Sequence, residues 1–148
     1  MDDRDWKILR ELQQDARLSF AELGRRVAMS TPAVAERVRR LEDAGVIEGY
    51  TAVLNPEKAG YPIGAHIRVR VSGSESLAKR LVALAAQLPE IVECHRCTGE
   101  ESFALQVRVR SVEHLERLID RLTPFGTTST SLILSAPFRK KPLIGREE

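Results

Sequence analysis

Between positions 25 and 40 the chain places five arginines, Arg25, Arg26, Arg37, Arg39 and Arg40, with one acid among them, Glu36. A guanidinium is a planar fork of donors that fits a phosphate or the N7/O6 edge of guanine, and a carboxylate can accept from the amino group of cytosine. Gathered on one surface, such a set is suited to reading a polyanion. The opposite possibility is a solvated face with no partner. Other chemistry-bearing residues are sparse. Cys94 and Cys97 form a C-x-x-C, a spacing shared by redox and metal sites. They fall on an expected strand, where residues three apart face opposite sides, so one sulfur is expected to be buried and the other not. No second C-x-x-C accompanies them, and neither a metal nor another cofactor is expected. His66, His95 and His114 are scattered over two strands and a helix, and no serine or cysteine has a nucleophile setting. An enzyme is therefore not expected, and His114 reads as a solvated side chain on an amphipathic helix.

The chain totals narrow the classes. With 148 residues and 43% hydrophobic content it can build two small domains. A net charge of +2 is too weak to imply nucleic acid without the local clustering. No apolar run approaches the roughly 20 residues of a membrane span, and the opening MDDRDWK is acidic where a signal peptide would be basic and then apolar. A cytoplasmic protein without membrane association is expected.

The arginines need a scaffold, and the first 50 residues spell one. Asp2 can cap a helix whose core positions are Trp6, Ile8, Leu9 and Leu12. Ser19 and Glu22 have capping-box spacing ahead of a second helix expected to bury Phe20, Leu23 and Val27. Three residues later, Ser30 or Thr31 caps a third helix with Pro32 in its first turn and Gly45 beyond its end. Val34, Val38 and Leu41 mark its buried stripe. Pro32, Glu36, Arg39 and Arg40 point away from that stripe, and Arg37 sits on its edge. Two helices joined by so short a turn, the second basic on its outer face, make a helix-turn-helix.

A short β-prone run then breaks at Asn55-Pro56, Gly60 and Pro62, giving a hinge over 51–62. Beyond it, period-two stretches at 63–72, 90–97, 102–110 and 128–136 alternate with amphipathic helices at 76–88 and 111–122. The order is βαββαβ, a ferredoxin-like domain over 63–136, followed by a basic, loose tail over 137–148. The fold class is thus α+β: a helix-turn-helix domain over 1–50, winged-helix-like, and a ferredoxin-like domain. One sheet face is left bare, and Arg68, Arg70, Arg108 and Arg110 share it. Four cations there need acids, either from a partner subunit or from RNA phosphates. RNA binding of that type stacks bases on aromatics in the central strands, and the third strand's one aromatic, Phe103, lies on its apolar side.

A helix-turn-helix, a hinge and a βαββαβ domain in this order resemble the Lrp/AsnC, or feast/famine, transcription regulators. The resemblance is carried by Asp2, Asp5, Ile8, Leu9 and Leu12, by ARLSFAELGRRV, by STPAVAERVRRLEDAGVIEGYTAVLNPEKAGYP, by PEIVECHRCTGEESFAL and by TSTSLIL, from Asp2 to Leu134. It implies a sequence-specific DNA-binding regulator that forms dimers or higher homo-oligomers, reads a pseudo-palindrome, and answers to an amino acid or similar metabolite. Residues expected at DNA are Ser30, Thr31, Pro32, Ala33, Glu36, Arg37, Arg39 and Arg40 of the recognition helix, with Arg25 and Arg26 on phosphate. Arg37 has a second reading, a structural tie to Glu42. Two departures from the family pattern stand out. Ala28 occupies the turn where glycine is usual, so the turn is expected to tighten differently. Ser102 stands where an aspartate associated with effector binding is usual. The effector pocket implied by the resemblance surrounds Gly99, Glu100, Glu101 and Ser102, with either glutamate reaching a ligand amino group and Thr128 and Thr130 contributed by a neighbouring final strand. An ordinary hairpin loop is the other reading of that stretch. The rival function is a metabolite-binding, oligomerising module without DNA activity, and a ferredoxin-like RNA-binding protein is a further one.

Overall fold

The computed structural model describes residues 1–138 and 140–145. The chain divides into two compact units, one formed by Met1–Ala52 together with the segment from Phe138 onward, the other by Val53–Pro137.

The first unit holds α1 (Asp3–Gln14), α2 (Phe20–Val27) and α3 (Thr31–Asp43). Each start has a side-chain cap. Asp2 accepts from the Asp5 N–H at 2.9 Å while Asp5 accepts from the Asp2 N–H at 3.0 Å, a reciprocal box. Ser19 caps α2 through the Glu22 N–H and Ser30 caps α3 through the Ala33 N–H. The core is Ile8, Leu9, Leu23, Val27, Val34, Val38 and Leu41, so the apolar spacing of each helix marks its buried side. Phe20 departs from expectation: it opens α2 with 43% of its surface exposed. One turn further along, Leu23 takes the buried position.

Ala28 ends α2 at φ 55, ψ 50. The turn thus adopts the left-handed conformation that glycine favours, against the expectation of a different geometry, and alanine bears a strain of about 1–2 kcal/mol there. The Met29 N–H donates to the Gly24 carbonyl at 2.8 Å. A Cβ on Gly24 would lie 2.6 Å from the Met29 carbonyl oxygen, so the close crossing of the turn over α2 requires the missing side chain.

The expected loose tail is anchored. Leu143 donates its N–H to Gln13 Oε1 at 2.8 Å and accepts from Gln13 Nε2 at 2.9 Å, and Gly145 lies against the Trp6 ring. A side-chain amide offers a donor and an acceptor side by side, which is what an extended backbone residue needs. Positions 139 and 146–148 of this tail lie outside the described residues.

The second unit is β1 (Ile63–Val71), α4 (Glu75–Gln87), β2 (Ile91–Arg96), β3 (Phe103–Val109), α5 (Val112–Leu122) and β4 (Gly126–Leu132). The sheet is antiparallel in the order β2-β3-β1-β4. Ala65, Ile67, Val69, Leu105, Val107 and Val109 bury one face against Leu81, Leu88, Leu115, Leu118 and Leu122, which leaves the other face bare. The last strand starts two residues earlier and stops four residues earlier than its pattern suggested. A 3-10 turn, Thr123–Phe125, feeds Gly126 directly into it. Among the described residues no strand forms between α3 and β1. Tyr50, Val53 and Leu54 are exposed there, because a β-prone run needs a neighbour to pair with.

Candidate functional site

On α3 the expected outward positions are outward. Thr31, Pro32, Glu36, Arg39 and Arg40 are exposed, and Ala33 is half-buried. Arg39 Nη1 meets Glu36 Oε2 at 2.9 Å in an exposed pair three residues apart. Such pairs are worth little in water and exchange readily for a stronger anion. Arg40 has no ion-pair partner among the described residues. Ser30 sits at the helix start, where free N–H groups and the dipole favour a phosphate oxygen.

Arg37 behaves differently. Its Nη1 lies 2.8 Å from Asp2 Oδ2 and 2.7 Å from Asp5 Oδ1, with 19% of the side chain exposed. The Asp5 and Asp2 bonds raise its pKa further, and the Asp2 carboxyl is held below its ordinary value by the Asp5 N–H and by Arg37. The tie expected with Glu42 is therefore replaced by one with the α1 cap. Glu42 instead accepts from the Tyr50 hydroxyl at 2.8 Å. Partial desolvation of the hydroxyl and that bond push the Tyr50 phenol up to about 12.

Arg25 and Arg26 share Glu22, at 2.7 and 3.0 Å, and Arg26 also reaches Glu11 at 3.1 Å. The two guanidiniums, Arg25 first, hold the Glu22 carboxyl down at about 2. Both cations thus have intramolecular partners that sequence reading missed, although Glu22 lies three and four residues before them, the spacing of helical ion pairs.

In the second unit the bare face carries His66, Arg68 and Arg70 from β1 opposite Gln106, Ala104 and Thr127. Two of its cations are answered by acids of the chain, while Arg108, expected on the same face, has no ion-pair partner among the described residues. Arg68 pairs with Glu101 at 3.2 Å and Arg70 with Glu100, both acids belonging to the β2–β3 loop. Arg110 turns aside to Tyr61, hydrogen-bonding its hydroxyl at 3.3 Å and lying 5.2 Å from the ring centroid. A partner's acids are not needed to separate Arg68 from Arg70. Phe103 is 3% exposed and offers no stacking surface, which removes the support for the RNA reading.

Of the loop residues expected around an effector, Glu100 and Glu101 line a cleft, and Gly99 and Ser102 do not. This cleft of about 300 Å³ is lined by Arg68, Cys97, Thr98, Glu100, Glu101 and Phe103. Gly99 turns at φ +98, and the Ser102 carbonyl accepts from the Cys97 N–H at 2.8 Å. Thr128 and Thr130 are not brought there. They pair with Val69 and Ile67 on the other face of the sheet, in the edge strand opposite β2. Cys94 and Cys97 are both exposed thiols, since β2 is itself an edge strand that its helix covers poorly. Among the described residues no cluster of His, Cys, Asp and Glu is arranged to hold a metal, and no helix is long and apolar enough to cross a membrane.

Residues 1–48 match the winged helix-turn-helix DNA-binding family model, and residues 64–143 match the Lrp/AsnC ligand binding domain. The chain is 40% identical to the HTH-type transcriptional regulator YezC of Bacillus subtilis, covering 92% of this chain and 95% of that one. It is 35% identical to the regulator LrpC of the same organism, over 91% and 92%. Its fold superposes on a transcriptional regulator of Neisseria meningitidis, solved in complex with L-Met, at a TM-score of 0.91 and 30% identity, over 97% and 96% of the two chains. These relatives are transcriptional regulators. With a helix-turn-helix whose recognition helix presents exposed cations, and with a ligand-binding domain behind it, the chain belongs to the Lrp/AsnC family of DNA-binding transcriptional regulators.

Proposed function

We propose that the protein binds pseudo-palindromic operators as a homodimer or higher homo-oligomer in the cytoplasm, and that an amino acid modulates this binding. The observation that carries the reading is the outward face of α3, where among the described residues Arg40 has no ion-pair partner and Arg39 is held by a neighbouring exposed acid. Arg39 and Arg40 contact phosphate or guanine, Glu36 accepts from cytosine, and Ser30, Thr31, Pro32 and Ala33 approach the backbone. Arg25 and Arg26 exchange Glu22 for phosphate. Arg37 acts from behind, fixing α3 to α1. Self-association is supported by apolar side chains left in solvent on the second unit, Val53, Leu54, Leu132 and Leu134. A twofold pair of helix-turn-helix units reads half-sites about one helical turn, or a multiple of it, apart.

The effector reading rests on the loop cleft. An amino acid inserts between Arg68 and Glu101, its carboxylate on the guanidinium and its ammonium on the carboxylate, while Glu100 stays on Arg70. Ser102 contributes a hydroxyl where the family's usual aspartate would add charge. Thr128 and Thr130 reach the ligand from a second copy, since those of the same chain lie elsewhere. Selection of bound genomic fragments followed by footprinting tests the DNA part. Repeated half-sites of inverted symmetry are expected, and enrichment of unrelated sequences with no symmetry would refute it. Calorimetry over a panel of amino acids tests the effector part, and silence across the whole panel would refute that.

A further inference from the structure

At the opposite end of the sheet from the β2–β3 loop lies a second cleft, of about 350 Å³, lined by Tyr61, Glu90, Arg110, Ser111, His114 and Arg117, with Pro89 at its edge. Three separate stretches build it. The β1–β3 ladder ends at Ile63 and Val109, so the chain beyond each end brings Tyr61 beside Arg110. Ser111 caps α5 through the His114 N–H at 3.1 Å, and Arg117 follows His114 on the same helix face. Pro89 and Glu90 lead from α4 into β2, where the Glu90 carbonyl accepts from the Arg108 N–H at 2.8 Å.

The polar groups of this cleft are only partly satisfied. His114 Nδ1 accepts from the Arg110 N–H at 3.4 Å, so the ring proton sits on Nε2 and is donated to Glu90 Oε1 at 2.8 Å. Far from being solvated, His114 is about four-fifths buried in this pair. The His114 bond, ahead of all other causes, holds the Glu90 carboxyl below its ordinary range and therefore ionised near neutrality. The second oxygen, Glu90 Oε2, is buried and has no hydrogen-bond partner among the described residues. A buried carboxylate oxygen without a donor is costly, and the deficit is sharpest for a charged group. Two guanidiniums line the same cleft: Arg110, which gives one N–H to Tyr61 and keeps the rest of its fork, and Arg117.

We propose that this cleft binds an acidic α-amino acid, with its ammonium on Glu90 Oε2 and its two carboxylates on Arg110 and Arg117. The lining carries one negative and two positive charges, the complement of one ammonium and two carboxylates. His114 positions Glu90, and the Tyr61 ring keeps Arg110 planar against it. A carboxylate fits the guanidinium fork in a bidentate manner. The site is separate from the loop cleft assigned above to an effector, so the two stand or fall independently.

The test is calorimetry on the full chain with L-glutamate, L-aspartate, L-leucine and succinate, repeated with Glu90→Gln, Arg117→Ala and Glu101→Gln. Glu90→Gln keeps the shape of the buried side chain, and Arg117→Ala alters a surface position, so folding is checked by circular dichroism in each. The expected result is binding of L-glutamate or L-aspartate that weakens by about tenfold or more in Glu90→Gln and in Arg117→Ala, and that persists in Glu101→Gln, where only binding at the loop cleft is removed. No response to either dicarboxylic amino acid would overturn the proposal. Binding lost in Glu101→Gln and kept in Glu90→Gln would also overturn it, while leaving the loop reading intact. Succinate binding as tightly as L-glutamate would overturn it as well, because the Glu90 oxygen would then have no part.

Discussion

On α3, Arg40 has no acid beside it among the described residues and Arg39 leans on Glu36 in an exposed pair; on the bare face of the sheet, Arg68 and Arg70 are each met by a glutamate from the β2–β3 loop. Both surfaces read as arginine clusters in the sequence, yet they carry different charge. Arg68 and Arg70 are balanced one for one, which leaves the half-buried Arg108 as the surplus on that face, so its field for a polyanion is weaker and it is suited to a ligand or a second copy. The helix retains a surplus, presented on a rigid element between a capped start and a glycine stop. Clustering in sequence indicates an electrostatic surface only after each cation's acid has been found.

The most severe way to break that contrast is to remove the surplus. Arg39→Ala combined with Arg40→Ala should weaken operator binding by roughly a hundredfold or more, taking about 1–3 kcal/mol for each contact, with no change in the unfolding midpoint. Arg68→Ala combined with Arg70→Ala should leave DNA affinity within about twofold, measured by anisotropy at matched salt. Next in size is the scaffold of the basic helix. Gly24→Ala forces a methyl to within 2.6 Å of the Met29 carbonyl and should destabilise the first unit by about 1–3 kcal/mol, read by chemical denaturation; an unchanged midpoint would mean that the turn has room to move. Arg37→Ala should lower the thermal midpoint of the first unit and reduce DNA affinity only in proportion to unfolding. If it instead abolishes binding with the midpoint intact, Arg37 belongs with Arg39 and Arg40.

Smaller effects sharpen the picture. Ala28→Gly removes left-handed strain at the cost of chain entropy and should stabilise by about 0.5–1 kcal/mol, visible as a small rise in midpoint. Glu22 has its carboxyl lowered from 4.5 to about 2. Since the folded value is depressed, its stabilising contribution is full above 4.5 and is lost as pH falls towards 2. The wild type should therefore lose stability over that window slightly faster than Glu22→Gln. The difference is small because the partner guanidiniums are solvated; parallel acid profiles would show that the pair contributes nothing.

Local signals in the sequence were enough to locate the helices, the caps of the first three and their buried sides. The spacing of Val34, Val38 and Leu41 fixed the outward face of α3, and alternation placed Ile67 and Leu105 in the core. What escaped was non-local. The partners of Arg37 lie more than thirty residues earlier, in the cap of α1. The partners of Arg68 and Arg70 are defined only once the β1–β3 register is known. The cleft at Glu90 joins residues from three stretches, none of which carries a motif. Gln13 holding Leu143 spans nearly the whole chain, and no pattern announces an amide that binds a tail. Phe20 was misjudged for a different reason: at the first position of a short helix, apolar character alone does not decide which way a side chain faces.

The salt dependence of DNA affinity in single arginine variants bears most directly on the difference between the two surfaces. Counterion release makes the logarithm of affinity fall linearly with the logarithm of salt concentration, with a slope set by the number of phosphates neutralised. Titrating an operator fragment against wild type, Arg40→Ala and Arg70→Ala should show the slope reduced by about one for Arg40→Ala, when its contact is to phosphate, and unaltered for Arg70→Ala. A slope that drops for Arg70→Ala while Arg40→Ala matches wild type in both slope and affinity would place the nucleic acid on the sheet and contradict the account.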